Sequence, residues 1–214
     1  MKKQRLLTLL PLLYAAYASS LLAMNLLATK QFDLWQFTVT TGILVSPIAF
    51  IIQDLATEVF GFRIAKRMIL TGFVILIVAS LVYQLAILIP PSNFWSNQAA
   101  FASILSTTLR ISLASLTAYL VGSLVNAKIM DQLKRGYPDS LFFRAITSTI
   151  FGQLLDNLLF AFLAFWGVLP LSALISMVIG GTLFETIYEI VLYPLTRLLI
   201  RLSQNYLGDE IDAI

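Results

Sequence analysis

Long apolar runs separated by short polar segments dominate the chain. A membrane-spanning helix needs about 20 apolar residues. The runs predict spans near Leu6–Ala28, Phe37–Gln53, Met68–Ile89, Ala102–Val125, Ser148–Val168 and Leu171–Leu195. The segment from Asp54 to Arg67 is expected to prolong the second helix briefly and to turn at Gly61. The polar segments are sorted by charge. Lys2, Lys3 and Arg5 precede the first span, and Arg63, Lys66 and Arg67 lie between the second and third. Lys128, Lys134, Arg135 and Arg144 lie between the fourth and fifth, and Arg197 and Arg201 follow the sixth. The alternate connections hold only Lys30, and 90–100 and 167–170 contain no basic residue. Cytoplasmic loops are enriched in Lys and Arg, so both termini are expected in the cytoplasm. The expected fold is all-α: a polytopic membrane protein of six transmembrane helices. It is expected to form one domain over residues 1–206 with a short tail at 207–214, in a cytoplasmic membrane.

Composition agrees. Of 214 residues, 59% are hydrophobic and 12% charged, against about 25% charged in soluble domains. Mean hydropathy is +0.88. The basic start before Leu6 resembles a leader, but the apolar run is long and lacks a small-x-small cleavage site, so it reads as the first span. The net charge of +3 follows from loop bias and gives no reason to expect nucleic acid. The chain has no cysteine and no histidine. Disulfides, thiolate or imidazole metal sites and histidine-based catalysis are excluded. No P-loop, Gly-x-Ser-x-Gly or His-Glu-x-x-His motif occurs, so no ATP hydrolysis by a P-loop, no catalytic residue, no metal and no cofactor is expected.

Against this background the polar residues inside spans stand out. A charge at mid-membrane costs roughly 2.5–3.5 kcal/mol on insertion scales. Span two carries Asp54 and Glu58, which at i,i+4 share a helix face. Its Pro47 lies about 15 Å along the expected span and favours a kink. Glu58 is expected at the cytoplasmic interface, solvated or partnered by Arg63 or Lys66. Span four carries Arg110, on a face with Thr107, Ala114 and Thr117. Span five carries Gln153, Asp156 and Asn157. With spans four and five antiparallel, Arg110 and Asp156 come within several Å in depth, and a buried ion pair is the plain structural reading. Span six places Thr182, Glu185 and Glu189 on one face. Acids exceed bases at membrane depth, a balance suited to a cation or a donor-rich neutral ligand. Asn25 and Lys30 close the first span, and Ala15, Ser19 and Ala23 form a stripe of small residues that allows close helix contact. Phe50, Trp166 and Tyr188 offer rings for stacking, though such residues more often pack or anchor at the interface.

Several segments together resemble the queuosine precursor transporter family, also called the vitamin uptake transporter family. They are Asn25 and Lys30, then Pro47, then Asp54-Leu-Ala-Thr-Glu58-Val-Phe-Gly61-Phe-Arg63, then Arg110-Ile-Ser-Leu-Ala-Ser115, and finally Ser148-Thr-Ile-Phe-Gly152-Gln153-Leu-Leu-Asp156 before Trp166-Gly167. The resemblance covers nearly the whole chain. It implies a transporter, not an enzyme, that imports a 7-deazaguanine precursor of the tRNA nucleoside queuosine: the 7-cyano or 7-aminomethyl base, or queuine. The expected substrate-binding residues are Asn25, Asp54, Glu58, Arg110, Gln153, Asp156, Glu185 and Glu189. The partners are a nucleobase-like small molecule and the lipid bilayer, with the protein acting alone or as a homo-oligomer. The chain departs from the family pattern at Gly122-Ser123 and Asn126, where residues more like Gln and Asp are expected, and at Glu185, where a basic residue is. The alternative is a substrate-capture subunit of an energy-coupling-factor importer, which needs a separate ATP-driven module.

Overall fold

The computed structural model describes residues 4–27, 29–34, 37–106 and 109–208, with the backbone alone for 31, 33–34, 37–40 and 109–112. Among the described residues seven α-helices follow in order: α1 Gln4–Leu27, α2 Ser46–Phe60, α3 Phe62–Leu88, α4 Gln98–Leu105, α5 Leu109–Gly136, α6 Leu141–Phe165 and α7 Leu171–Leu207. Between α1 and α2 lie a short antiparallel hairpin, β1 Gln31–Leu34 and β2 Phe37–Thr40, and a 3-10 turn, Thr41–Leu44. Five helical stretches among the described residues are long and apolar enough to cross a membrane: Gln4–Leu27, Phe62–Leu88, Leu113–Gly136, Leu141–Phe165 and Leu171–Leu207. Their outward faces are apolar. Val74, Val78, Leu81 and Leu85 of α3 and Ile179, Leu183, Ile187 and Val191 of α7 are exposed, as lipid contact requires.

The second predicted span differs from expectation. Helix does not begin at Phe37. Thr38, Val39 and Thr40 are β-branched and pair in β2, and Gly42 follows in the 3-10 turn. The helix starts at Ser46, with Pro47 in its first turn. Proline is favoured there, because its missing N–H has no helical acceptor and its φ is preset. Pro47 therefore opens a helix instead of kinking one. The 15 residues of α2 reach about 22 Å at 1.5 Å per residue, short of the ~30 Å hydrocarbon core. Pro47, Ala49 and every residue from Ile51 to Phe60 are buried, so α2 is the central helix of the bundle. It ends where expected: Gly61 takes φ 76°, donates to the Thr57 carbonyl at 3.0 Å, and α3 begins at the next residue.

The fourth predicted span is also divided. α4 stops at Leu105 and α5 starts at Leu109. Ser106 ends α4 in an extended conformation, φ −92° and ψ 110°; Thr107 and Thr108 lie outside the described residues. The remaining spans match the prediction, extended by several residues at their polar ends. α7 runs on past Pro194 to Leu207.

The start of α1 and the end of α7 meet at one end of the bundle, where the Arg5 Nη1 donates to the Tyr206 carbonyl at 2.9 Å. The α2–α3 turn lies there too: the Phe62 amide donates to Asp131 Oδ1 at 3.2 Å. This is the end that carries Arg63, Lys66, Lys134 and Arg144, called the basic end below.

Candidate functional site

The site grows from a close helix crossing. α5 and α6 make the most extensive packing in the molecule. At its centre a Cβ built on Gly122 would lie 2.8 Å from the Gly152 carbonyl and 2.7 Å from Asp156 Cβ, and one on Gly152 would lie 2.6 Å from Asn126 Cβ. Two glycines thus let the backbones touch, as small residues do between membrane helices. The geometry is reciprocal. Gly122-Ser123-x2-Asn126 on α5 faces Gly152-Gln153-x2-Asp156 on α6 in antiparallel sense, each glycine under the other helix's amide or carboxyl residue.

α2 lies across this crossing and encloses a narrow cleft. Its lining is Phe50 and Gln53 from α2, Tyr119, Gly122, Ser123 and Asn126 from α5, and Gly152, Gln153 and Asp156 from α6. In this conformation it has room for about one water. Gln53 is held at both ends of its amide: its oxygen accepts from the Tyr17 hydroxyl at 3.2 Å, and its Nε2 donates to the Ser123 carbonyl at 3.4 Å. A hydroxyl has one proton to give. Since Tyr17 spends its proton on Gln53, Tyr119 donates to Tyr17 across their 2.5 Å contact. The chain Tyr119–Tyr17–Gln53–Ser123 therefore ties α1, α2 and α5 together beside the cleft. The buried Asn126 Oδ1 has no hydrogen-bond partner among the described residues. A buried acceptor of this kind is poised for an N–H donor.

The eight residues singled out in the sequence fall into different places. Gln153 and Asp156 line the cleft. Glu185 lies behind it, close enough to Asp156 for their charges to interact, and accepts from Asn157 Nδ2 at 2.8 Å. Glu58 is not solvated, and its partners are neither Arg63 nor Lys66. Arg144 grips it with two hydrogen bonds, Nη1 to Oε2 at 2.6 Å and Nη2 to Oε1 at 3.0 Å. Lys134 Nζ adds a contact at 3.6 Å and donates to the Glu58 carbonyl at 2.6 Å. Arg144 is only 2% exposed; a two-pronged pair offsets much of the cost of burying both charges. Asp54, next to Gln53, points the other way, toward Glu189 of α7. Asn25 lines a separate cleft near the opposite end, with Thr29, Ser80, Tyr83 and Gln84. Two helical turns, about 12 Å, separate it from the level of Tyr17.

The side chain of Arg110 lies outside the described residues, but its backbone does not. It stands twelve residues from Gly122, about 18 Å along α5, and Asp156 lies at the level of Gly122. The expected Arg110–Asp156 pair is out of reach of one side chain. Sequence reasoning missed Gln53, Asn126, Tyr17 and Tyr119. One signal was available for Asn126: the Gly-polar-x2-Asn/Asp spacing occurs twice, on neighbouring helices.

A bundle whose apolar surface faces outward and whose polar side chains line an interior cleft defines a multi-pass membrane protein. The family model described as "Putative vitamin uptake transporter" matches residues 40–199, so the chain belongs to that transporter family, not to a family of enzymes. It is 26% identical to the "Probable queuosine precursor transporter" of Bacillus subtilis over 79% of this chain and 75% of the relative. It is 28% identical to the "Queuosine precursor transporter" of Escherichia coli K12 over 66% of this chain and 62% of the relative. A Haemophilus influenzae "Probable queuosine precursor transporter" is also 28% identical, over 76% of this chain and 72% of the relative. No solved structure matches.

Proposed function

We propose that this protein imports a 7-deazaguanine precursor of queuosine, as the 7-cyano or 7-aminomethyl base or queuine, and that the α2–α5–α6 cleft grips it. The observation that carries this reading is the lining: an acidic group, three amides and two rings converge on one buried crossing. A guanine-like edge presents paired N–H donors, which a carboxylate accepts together. Asp156 supplies the carboxylate and Asn126 Oδ1 a further acceptor. The Gln153 amide is the donor for the ring carbonyl. Phe50 and Tyr119 offer faces for the heterocycle. The names of the relatives support the same substrate class.

The cleft must widen to admit a base. α2 is the element suited to yield, being short and bounded by Gly61 and the turn at Gly42. The basic end faces the cytoplasm of the inner membrane, by the bias of Lys and Arg in cytoplasmic loops. The Glu58–Arg144–Lys134 cluster closes the cytoplasmic side, and the cleft at Asn25 is the outer approach. Arg110 stands toward that outer approach, and Glu185 backs Asp156.

The test is purified protein alone in liposomes, loaded with nothing but buffer. Uptake of labelled 7-cyano-7-deazaguanine, competed by the 7-aminomethyl base and weakly by guanine, is the expected result. Binding without uptake, restored by an ATP-driven partner, turns the assignment to a capture subunit. Absence of both binding and uptake for every one of these bases defeats it.

A further inference from the structure

Asp54 of α2 and Glu189 of α7 face each other deep in the bundle, where α2 and α7 pack together, close enough for their carboxyls to interact. They are 1% and 4% exposed. Both Asp54 oxygens and Glu189 Oε1 lack a hydrogen-bond donor among the described residues. Ionised carboxylates only accept, so two of them in contact satisfy nothing. A buried polar contact of this kind is completed when one partner carries a proton and donates it to the other.

Among the described residues the surroundings supply no other donor. From α2 the next acid is Glu58, and it already occupies Arg144 of α6 and Lys134 of α5. The remaining basic residues with described side chains on neighbouring helices, such as Arg63 and Lys66 of α3 and Arg197 of α7, are exposed. From α7 the next acid is Glu185, engaged by Asn157 of α6. The nearby α1 and α5 hydroxyls, Tyr17 and Tyr119, are committed to each other and to Gln53. On the α5–α6 side Asp156 faces the cleft. Among the described residues no group of three or more acids is placed to hold a metal ion. A sodium ion is poorly served by two carboxyls, since hard cations ask for about six oxygen ligands. A proton needs only these two.

We infer that the Asp54–Glu189 pair is the binding site of a coupling proton that enters with the substrate. The inference rests on the transport reading above. Its physical basis is adjacency on one short helix: Gln53 faces the cleft and Asp54, the next residue, faces α7. A shift of α2 that opens the cleft also moves Asp54 against Glu189. The proton is taken from water on the outer side, shared between the two carboxyls while α2 is seated, and released to the cytoplasmic side. Nothing is oxidised and no covalent bond between heavy atoms changes.

Two measurements on the full chain in liposomes test this. The first needs no substrate: infrared difference spectra between acid and alkaline buffer. We expect a carboxylic-acid C=O band that disappears in Asp54→Asn and in Glu189→Gln; an unchanged band in both variants overturns the site. The second adds 7-cyano-7-deazaguanine outside vesicles that enclose a pH-sensitive dye. We expect acidification of the interior with uptake, and about tenfold accumulation per unit of pH gradient for one proton per base. Both variants should lose accumulation yet retain exchange of internal for external base. Accumulation without acidification, or accumulation driven by a sodium gradient, overturns the coupling. A proton band that depends on the pair, in a protein that neither binds nor moves the base, would instead support the pair and defeat the transport reading.

Discussion

Gly122 of α5 and Gly152 of α6 meet backbone to backbone, each facing the carbonyl of the other. The contact places Asn126 and Asp156 on opposite flanks of one crossing and leaves the narrow cleft beside it. A Cβ at Gly152 would stand 2.6 Å from Asn126 Cβ and 3.0 Å from the Gly122 carbonyl. Alanine in a helix normally gains up to about 1 kcal/mol over glycine. Here we expect the reverse: Gly152→Ala should lose about 1–3 kcal/mol through overpacking, read as a lower melting temperature in detergent. Gly136, with open space around it, is the control.

Arg144 and Glu58 tie α6 to α2 in a buried pair. Arg144→Ala leaves Glu58 buried with only the longer Lys134 contact, and we expect a loss of about 3–5 kcal/mol. Arg144→Lys should not restore it, because an ammonium cannot match the two-pronged geometry. The double variant Glu58→Ala with Arg144→Ala should be less damaged than the sum of the single changes. A double-mutant cycle on thermal unfolding reads this coupling.

Substrate contacts are separable from these structural ones. Asp156→Asn and Gln153→Ala should each weaken binding of 7-cyano-7-deazaguanine with normal expression. Loss of a hydrogen bond to a charged group, as at Asp156, is worth about 1.5–3 kcal/mol, roughly ten- to hundred-fold in affinity, and loss of a neutral one, as at Gln153, about 0.5–1.5 kcal/mol, roughly two- to tenfold. Equilibrium binding to purified protein checks it, and unchanged affinity in both would move the site elsewhere.

Arg110 and Asp156 provide a test of the helix register. Their levels on α5 and α6 differ by about 18 Å. We expect Arg110→Ala and Asp156→Asn to be additive in unfolding free energy to within about 0.5 kcal/mol. Strong coupling would mean that the two side chains meet.

Tyr17→Phe removes the hydroxyl that orients Gln53. We expect a cost of about 0.5–1.5 kcal/mol in stability and weaker base binding, because the freed Gln53 amide can rotate in the cleft wall. Tyr119→Phe should do less, since Tyr17 can still donate to Gln53 without it.

Sequence by itself determined the class of the molecule. Runs of about 20 apolar residues have few physical solutions other than buried or lipid-facing helices, and the sorting of basic residues foretold the end where Arg5 meets Tyr206. Gly61 as a turn was legible because that conformation favours glycine. Hydropathy misplaced the start of α2, since Phe37 and Val39 continue the apolar run that follows yet pair as a strand. Only the tertiary structure decided which polar residues meet. Asp54 and Glu58 share a face on one helix, yet Glu58 found cations contributed by α5 and α6 while Asp54 found Glu189. Helical periodicity fixes the direction of a side chain about its own axis. The partner depends on how neighbouring helices slide and rotate, and here that was set by two glycines that let α5 and α6 touch.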